Sequence, residues 1–459
     1  MIKEIYIKDL LTDKNVGKEV KINGWIYRKR EQKDKIFIVL RDSTDIIQCV
    51  VHKEKVDENI WKKALEFQIE GSLEVSGILR KDNRAPTGYE IEVIEIKDFD
   101  IGKPFPLKGD ETTEAIQKYR HLWIRSRKFT AITKVKHSLL NNLREWFIKD
   151  NWIEVHPPII VGNACEDTTT LFEINYFGKK AYLSQSAQLY LEALIYSLEK
   201  VFSLTPSFRA EKSRTKRHLH EYWHFEIEAA WMNLDNLIEV TEKSLKFSIE
   251  KTLNEREKEF KVLNRDTLKL KKVIDENWIK IKYSEAIDIL QKKGVNIEYG
   301  QDLGADEEKE LMLQFEVPVF LTYYPREIKA FYMYETGDGT VRNFDLLAPE
   351  GYGEIIGGSE REWRFDILKK KVKEWNLEKL QVEIGTSKVS IKKNDELQIV
   401  EQPLTIYAYQ WYEDLRKFGS VPHSGWGLGI ERFTTWICKL DHIRDTLPFP
   451  RLREGWLYP

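Results

Sequence analysis

The stretch FRAEKSRTKRHLHEYWHFEIE, residues 208–228, decides how the larger part of this chain is read. Two strand-like pieces flank a loop, EKSRTKRH, whose cations Lys212, Arg214, Lys216 and Arg217 outnumber its one acidic residue, Glu211. This arrangement predicts a hairpin that projects arginines into a cleft. Arginine suits that task because its planar fork engages a phosphate at two points and stays charged. A solvated charged turn has the same composition, so the flanking strands carry the distinction. Arg209 lies beside the first strand, and Glu226 and Glu228 share one face of the second because strand side chains alternate. Carboxylates on an otherwise apolar strand need partners, which favours a polar site.

Two glycine-rich stretches further along the chain extend this reading. In GSVPHSGWGLGIERFTTWICKL (419–440), Gly425, Gly427 and Gly429 precede a helical pattern with Arg432 in its opening turns. Glycines let the backbone approach a ligand and a helix start favours anions, although such spacing is common. No strand–GxxxxGKS/T–helix element is present, and the glycine run lacks the βαβ context of a dinucleotide fold. Before LLAPEGYGEIIGGSER (346–361) stands Asp345. With Glu354 it is a candidate for Mg²⁺, which prefers carboxylate oxygens plus phosphate and water. A glycine-rich turn with solvated acids is the alternative.

Around these motifs, KFTAITKVKHSLLNNLREWFIKDN (128–151) predicts a helix running into the strand-like WIEVHPPIIV. KAYLS, VFSLTPSF, HFEIEAAWM and PVFLTYY read as apolar strands between long amphipathic helices. The expected fold class is α+β, with residues 126–459 built on a large, mainly antiparallel sheet flanked by helices. Residues 1–100 differ. About five short alternating strands and one helix, NIWKKALEFQIEG, predict a small closed barrel of the OB type. IGKPFPLKGDETTEA, with two prolines, opens a linker over 101–125. LEKLQVEIGTSKVSIKKNDELQIVEQ, near 377–402, reads as an inserted hairpin turning at Gly385-Thr386-Ser387.

Composition removes other classes. The 459 residues are 42% hydrophobic, enough for a substantial core and unlike a disordered chain. Lys+Arg 73 against Asp+Glu 75 leaves −2, so any polyanion site is a local patch. One lies between Lys21 and Lys35, where six cations (Lys21, Arg28, Lys29, Arg30, Lys33, Lys35) face only Glu31 and Asp34. Cys49, Cys165 and Cys438 are scattered, without a CxxC spacing. This argues against a disulfide framework or a Cys₄ zinc site and suits a reducing cytoplasm. The opening segment is interrupted by charges, unlike a signal peptide, and no apolar run of about 18 residues could span a bilayer. A cytoplasmic protein with no membrane association is expected.

Together these residues resemble the three signature motifs of class II aminoacyl-tRNA synthetases. KHSLLNNLREWFIKDNWIEVHPPII, with Pro158, resembles motif one; FRAE…RHLHEYWHFEIE resembles motif two; GLGIERF resembles motif three. The barrel and linker match the aspartyl, asparaginyl and lysyl subgroup, and YLSQSAQLYLEALIYSLEKVF is most similar to its archaeal-type asparaginyl members. The resemblance spans nearly the whole chain except 377–402. It implies an asparagine–tRNA ligase that forms asparaginyl-AMP from ATP with Mg²⁺ and charges tRNA(Asn). It also implies a homodimer through motif one and an anticodon-binding role for the barrel.

Residue roles follow from the same resemblance. Arg209 would grip the α-phosphate of ATP, and Arg217 with Arg432 the outer phosphates. Tyr222 would stack on adenine, with Trp223 as the competing choice, while Glu211, His218, Leu219 and Gly429 complete the ATP site. Glu354 and Asp345 would bind Mg²⁺, although two more residues separate them than in aspartyl relatives. Glu166 and Gln188 would hold the α-amino group, and Arg361 would meet the side-chain carbonyl. Arg28, Phe37, Gln48 and Glu92 match anticodon positions, where stacking on an unpaired base contributes about 1–3 kcal/mol. The chemistry agrees: adenylate formation needs positioning and charge stabilisation, supplied here by Arg209, Arg432 and Glu354, with no Ser–His pair.

Charge decides between asparagine and aspartate. In aspartyl enzymes a lysine occupies the place of Leu191 and pairs with the substrate carboxylate, and an Asp stands at the place of Glu226. Losing a cation and advancing an anion both disfavour aspartate, so Leu191→Lys is expected to move preference toward it. Glu166 is followed by Asp167 and Thr168 where the family loop is usually glycine-rich, which stiffens it. Three rival readings remain at this level. They are an aspartyl enzyme (including one that also charges tRNA(Asn)), an asparagine synthetase-type paralogue, and a non-catalytic RNA-binding paralogue. The lysine-flanked insertion is expected to touch tRNA.

Overall fold

Alternating burial along five strands closes the N-terminal unit into a barrel. In the computed structural model these are β1 (Glu19–Glu31), β2 (Lys35–Arg41), β3 (Ile46–His52), β4 (Ser72–Lys81) and β5 (Tyr89–Asp100), in the order β1-β2-β3-β5-β4. Only β3 and β5 run parallel; β4 returns antiparallel to β1 and closes the barrel. Ile36, Ile38 and Leu40 of β2 and Ile47, Cys49 and Val51 of β3 point into one apolar cluster. The residues between them, Phe37 and Gln48 included, are therefore on the outside. The helix Glu58–Glu66 joins β3 to β4, its first turn capped by Asp57 accepting from the Asn59 N–H. It is shorter than its apolar stretch because Phe67 leaves the helix to bury its ring in the barrel core.

The structure describes residues 5–109, 111–166, 168–211, 215–393, 396–453 and 457. Asp167, Lys212 and Arg214 lie outside the described residues. The chain divides into two units, Met1–Trp123 and Ile124–Pro459.

The second unit contains β6 (Ile153–Glu154), β7 (Ile160–Val161), β8 (Phe172–Tyr176), β9 (Lys179–Leu183), β10 (Lys200–Phe208) and β11 (Glu221–Ala230). It continues with β12 (Ile279–Lys282), β13 (Val319–Thr322), β14 (Asn343–Ala348), β15 (Gly353–Glu360), β16 (Gln381–Lys393), β17 (Glu396–Tyr407) and β18 (His423–Gly429). Eight of them form one sheet in the order β12-β13-β14-β15-β18-β11-β10-β6. Its centre is antiparallel as expected, but both edge pairs, β12–β13 and β6–β10, are parallel. Helices intervene between the members of each pair, and a helical crossover is what a parallel pairing needs.

The insertion is a two-stranded ribbon, and its turn differs from the expected one. Gly385, Thr386 and Ser387 pair with Leu404, Pro403 and Gln402 inside the ribbon, and the strands connect at 394–395, outside the described residues. The Gly-Thr-Ser run marks a register shift between Glu383 and Gly385 instead, a place where glycine accommodates a bulge. Residues beyond the shift keep pairing, so a turn-like composition was overridden by cross-strand contacts.

Period-two alternation sorts the large sheet. Phe225 and Ile227 of β11, Trp426 and Leu428 of β18, and Phe344 and Leu346 of β14 face one core. There they meet Val135, Leu139 and Phe147 of the helix Arg127–Lys149 and Leu237, Leu245 and Ile249 of the helix Leu234–Glu255. Residues in the alternate positions point to the opposite face. No described helix is long and apolar enough to cross a membrane.

Candidate active site

That opposite face carries the unusual residues. Strand pairing sets Asp345 opposite Gly357, Gly357 opposite Gly427 and Gly427 opposite Glu226. Two carboxylates thus stand at the ends of a glycine floor, three strand spacings or roughly 14 Å apart. The next row is Asn343, Ser359, Gly425 and Glu228. Glycine is needed here because side chains of β11 lie across β18. A Cβ on Gly427 would overlap the His224 ring, and one on Gly425 would overlap the Glu228 carboxylate and the Ile227 carbonyl. Over the floor opens a cavity of about 310 Å³ lined by Glu166, Gln188, Arg209, Arg217, His218, Leu219, Tyr222, Glu226, Asp345, Glu354, Arg361, Gly429 and Arg432. Residues expected from three separate motifs therefore meet in one place.

One end of the cavity is cationic. Arg209 follows β10, its guanidinium 5.6 Å from the centre of the Tyr222 ring, and its buried Nε has no hydrogen-bond partner among the described residues. Arg217 donates to Glu308 Oε2 at 2.7 Å and to the Glu354 carbonyl at 3.1 Å, and its Nε likewise has no partner among the described residues. Arg432 donates to Glu354 Oε2 at 2.8 Å, and Lys329 to Asp345 Oδ2 at 2.6 Å. Each carboxylate thereby uses one oxygen on a protein cation. The other oxygens, Glu354 Oε1 and Asp345 Oδ1, lie 3.5 and 3.8 Å from the point where a side chain on Gly357 would begin. Two carboxylate oxygens over a bare glycine, beside unpaired arginine N–H groups, fit a Mg²⁺ that completes its octahedron from phosphate and water. Burial alone would raise the Glu354 carboxyl, but Arg432, Lys329 and Arg217 outweigh it and hold the group at about 2. Asp345 moves upward, because burial and the neighbouring Glu354 outweigh Lys329.

The other end is built around Glu226. It accepts from the Ala187 N–H at 2.9 Å and from the Ser186 hydroxyl, with His224 Nδ1 at 3.4 Å. Arg361 is held in place by Glu228, donating from Nε at 3.1 Å to one oxygen and from a terminal nitrogen at 2.9 Å to the other, and it also donates to Ser359 Oγ at 2.9 Å. Glu166 accepts from the Tyr332 hydroxyl at 3.0 Å. Gln188 opens the helix Gln188–Leu198.

Two expected placements differ. Leu191 does not reach the cavity. It is fully buried in a small apolar cluster with Ala187, Ile195 and Val201, so the helix turns it toward β10. Glu211 also lies outside the lining, with Arg209 at 3.8 Å and His218 at 3.4 Å. Between the two aromatic candidates, Tyr222 faces the cavity, whereas Trp223, one residue on, points away and is 42% exposed. Glu308, Lys329 and Tyr332 are site residues that sequence reasoning passed over. Glu308 sits in ADEEKELM, where an acidic first turn reads as an ordinary solvated helix start. Glu228, marked in the sequence by its place beside Glu226 on an apolar strand, is the anchor of Arg361.

On the barrel, pairing aligns Arg28, Val39, Gln48 and Glu90 in one row and Arg30, Phe37, Val50 and Glu92 in the next. The four expected residues Arg28, Phe37, Gln48 and Glu92 therefore share one outer face. Arg30 lies 4.7 Å from the Phe37 ring centre, and Gln48 donates to Glu90 at 2.7 Å. Hydrogen bonding from Lys55, helped by Arg80, holds the Glu92 carboxyl below its usual range.

Burial pushes the imidazoles of His224 and His423 down, and that of His442, next to Arg444, to about 4. His442 Nδ1 accepts from the Arg444 N–H at 3.1 Å, which requires the neutral ring. A folded value below the unfolded 6.5 means that this stability is fully present above about pH 6.5 and is lost as pH falls toward 4. Thermal melting should show Tm decreasing across that window. His442→Asn, which keeps an acceptor and cannot take the proton, should flatten part of the slope.

Comparison with known proteins agrees with the fold. Residues 112–453 match tRNA synthetases class II (D, K and N), and residues 20–99 match the OB-fold nucleic acid binding domain. The asparagine–tRNA ligase of Thermococcus kodakarensis is 47% identical over 466 aligned positions covering 100% of both chains. The crystal structure of asparaginyl-tRNA synthetase from Pyrococcus horikoshii complexed with asparaginyl-adenylate matches with a TM-score of 0.90 and 46% identity, over 100% of each chain. The Entamoeba histolytica asparaginyl-tRNA synthetase in complex with asparaginyl-adenylate matches at 0.80 and 30%, over 96% of this chain and 97% of that one. Likeness of this extent takes in both the barrel and the sheet beneath the cavity, and by it the chain belongs to the class II tRNA synthetases (D, K and N).

Proposed function

We propose that this chain is an asparagine–tRNA ligase. The observation that carries the reading is that Glu226 and Arg361, the latter anchored on Glu228, both line the cavity. Among the described residues, the one lysine lining the cavity, Lys329, is bound to Asp345 at the other end. Glu166 and Gln188 hold the α-ammonium of asparagine, Arg361 donates to its side-chain oxygen, and Glu226 accepts from its NH₂. Aspartate would bring a second carboxylate against Glu226. Sites that bond a specific polar group discriminate by roughly 10⁴-fold.

The α-carboxylate then attacks the α-phosphorus of ATP and pyrophosphate leaves. Arg209 steadies the α-phosphate, Arg217 and Arg432 the outer phosphates, and Tyr222 stacks on the adenine. Mg²⁺ held by Glu354 and Asp345 would supply charge neutralisation at the phosphate oxygens. A ribose hydroxyl at the tRNA terminus next attacks the activated carbonyl and AMP leaves. The barrel face bearing Arg28, Phe37, Gln48 and Glu92 takes the anticodon of tRNA(Asn). The protein acts in the cytoplasm as a homodimer formed through the region of the helix Arg127–Lys149 and Pro158.

Amino-acid-dependent pyrophosphate exchange tests this. Asparagine should support exchange, and aspartate at least about 100-fold less. Exchange better with aspartate makes the protein an aspartyl enzyme. Free asparagine formed from aspartate and ammonia makes it a synthetase, and no exchange with any amino acid makes it an RNA-binding paralogue. Leu191→Lys should narrow the asparagine-to-aspartate ratio about tenfold by adding a cation behind Ser186. It should also lower Tm, because the new ammonium starts within an apolar cluster.

A further inference from the structure

We propose that Glu192 is a positioning residue that sets which end of the Gln188 carboxamide faces the amino acid. This deepens the asparagine reading above and rests on it. Glu192 is fully buried, one helical turn beyond Gln188 on the same helix face. Its Oε1 accepts from Gln188 Nε2 at 3.0 Å. Its Oε2 is surrounded by the Tyr412 hydroxyl at 2.7 Å, His423 Nε2 at 3.0 Å and the Arg416 guanidinium. Arg416 is itself anchored by donating from Nε to the Glu362 carbonyl at 3.1 Å.

A carboxylate only accepts hydrogen bonds, so the part of Gln188 that meets Glu192 has to be the NH₂. The amide oxygen is then the atom left for the cavity that Gln188 lines. The two ends of a carboxamide have nearly the same shape, and only hydrogen-bond partners choose between them. The choice matters because an oxygen attracts an α-ammonium whereas an NH₂ repels it. The Tyr412–Arg416–His423 cluster fixes Glu192, Glu192 fixes the amide, and the amide presents an acceptor to the substrate.

Glu192→Gln tests the assignment. Tyr412, Arg416 and His423 would take the new amide oxygen, so its NH₂ would face residue 188 and turn the Gln188 oxygen away from the ligand. In asparagine-dependent exchange, KM for asparagine should rise about tenfold or more, with KM for ATP unchanged and kcat within about threefold. Adding Gln188→Glu should restore the asparagine KM, because one oxygen of the new carboxylate accepts from the amide introduced at position 192 and the other meets the ammonium. Gln188→Glu alone sets two buried carboxylates together and should stay impaired. A merely structural role would lower Tm without this split and without rescue. Wild-type protein that fails to activate asparagine removes the proposed function itself. Wild-type protein that does so, with an unchanged asparagine KM in Glu192→Gln or no rescue in the double variant, overturns this assignment alone. Should Glu192→Gln not fold, crystals of the wild type with asparagine decide. An ammonium bonded to the amide of Gln188, whose other end meets Glu192, is expected; an ammonium bonded elsewhere overturns the assignment.

Discussion

Arg209→Ala is expected to lower asparagine-dependent pyrophosphate exchange by about 10³-fold or more, an effect on the scale of other arginines that stabilise phosphoryl-transfer charge. The guanidinium is buried at the cavity, its Nε has no hydrogen-bond partner among the described residues, and the Glu211 carboxylate is 3.8 Å away. A cation so weakly paired within the protein is available to a phosphate. Its loss should therefore fall on kcat and leave Tm nearly unchanged. Arg209→Lys keeps the charge but not the fork, and an intermediate loss of about 10²-fold should follow. A Tm that collapses with activity, or exchange that survives Arg209→Ala, would remove the residue from the phosphate end.

Gly425→Ala should damage the fold severely. The new methyl would occupy the space of the Glu228 carboxylate and the Ile227 carbonyl. β18 cannot move aside, because β11 and β15 hydrogen-bond to it on both edges. Glu228 would have to leave Arg361, and breaking a buried ion pair costs about 3–5 kcal/mol, with overpacking added to it. Thermal or denaturant unfolding should register that loss, together with loss of asparagine activation as Arg361 loses its anchor. Gly429→Ala is the control. The nearest atoms to its methyl belong to Arg432 at 3.7 Å, an ordinary contact, so stability should stay within about 0.5 kcal/mol of the wild type.

Much of the catalytic face is legible because strands obey a local rule. With a period of two, Glu226 and Glu228 share a side, Gly425, Gly427 and Gly429 share a side, and Phe225 and Ile227 oppose the acids. The same rule places Phe37 and Gln48 outside the barrel. Composition misled where local and cross-strand preferences conflict, as at Gly385-Thr386-Ser387, which looks like a turn and pairs as strand. It also misled at Leu191, where motif position suggested a pocket residue and packing against Val201 turned the side chain into the core.

Neighbours a few residues apart in the chain were enough to read the two-unit plan, the faces of the strands and the cast of arginines and carboxylates. Folding in three dimensions supplied the meetings: Gly427 between Glu226 and Gly357, Glu308 on Arg217, Lys329 on Asp345, and Arg416 with His423 on Glu192. Those contacts join segments remote in sequence, and they are set by strand order and by the need of every buried charge for a partner. No local pattern in the chain records either.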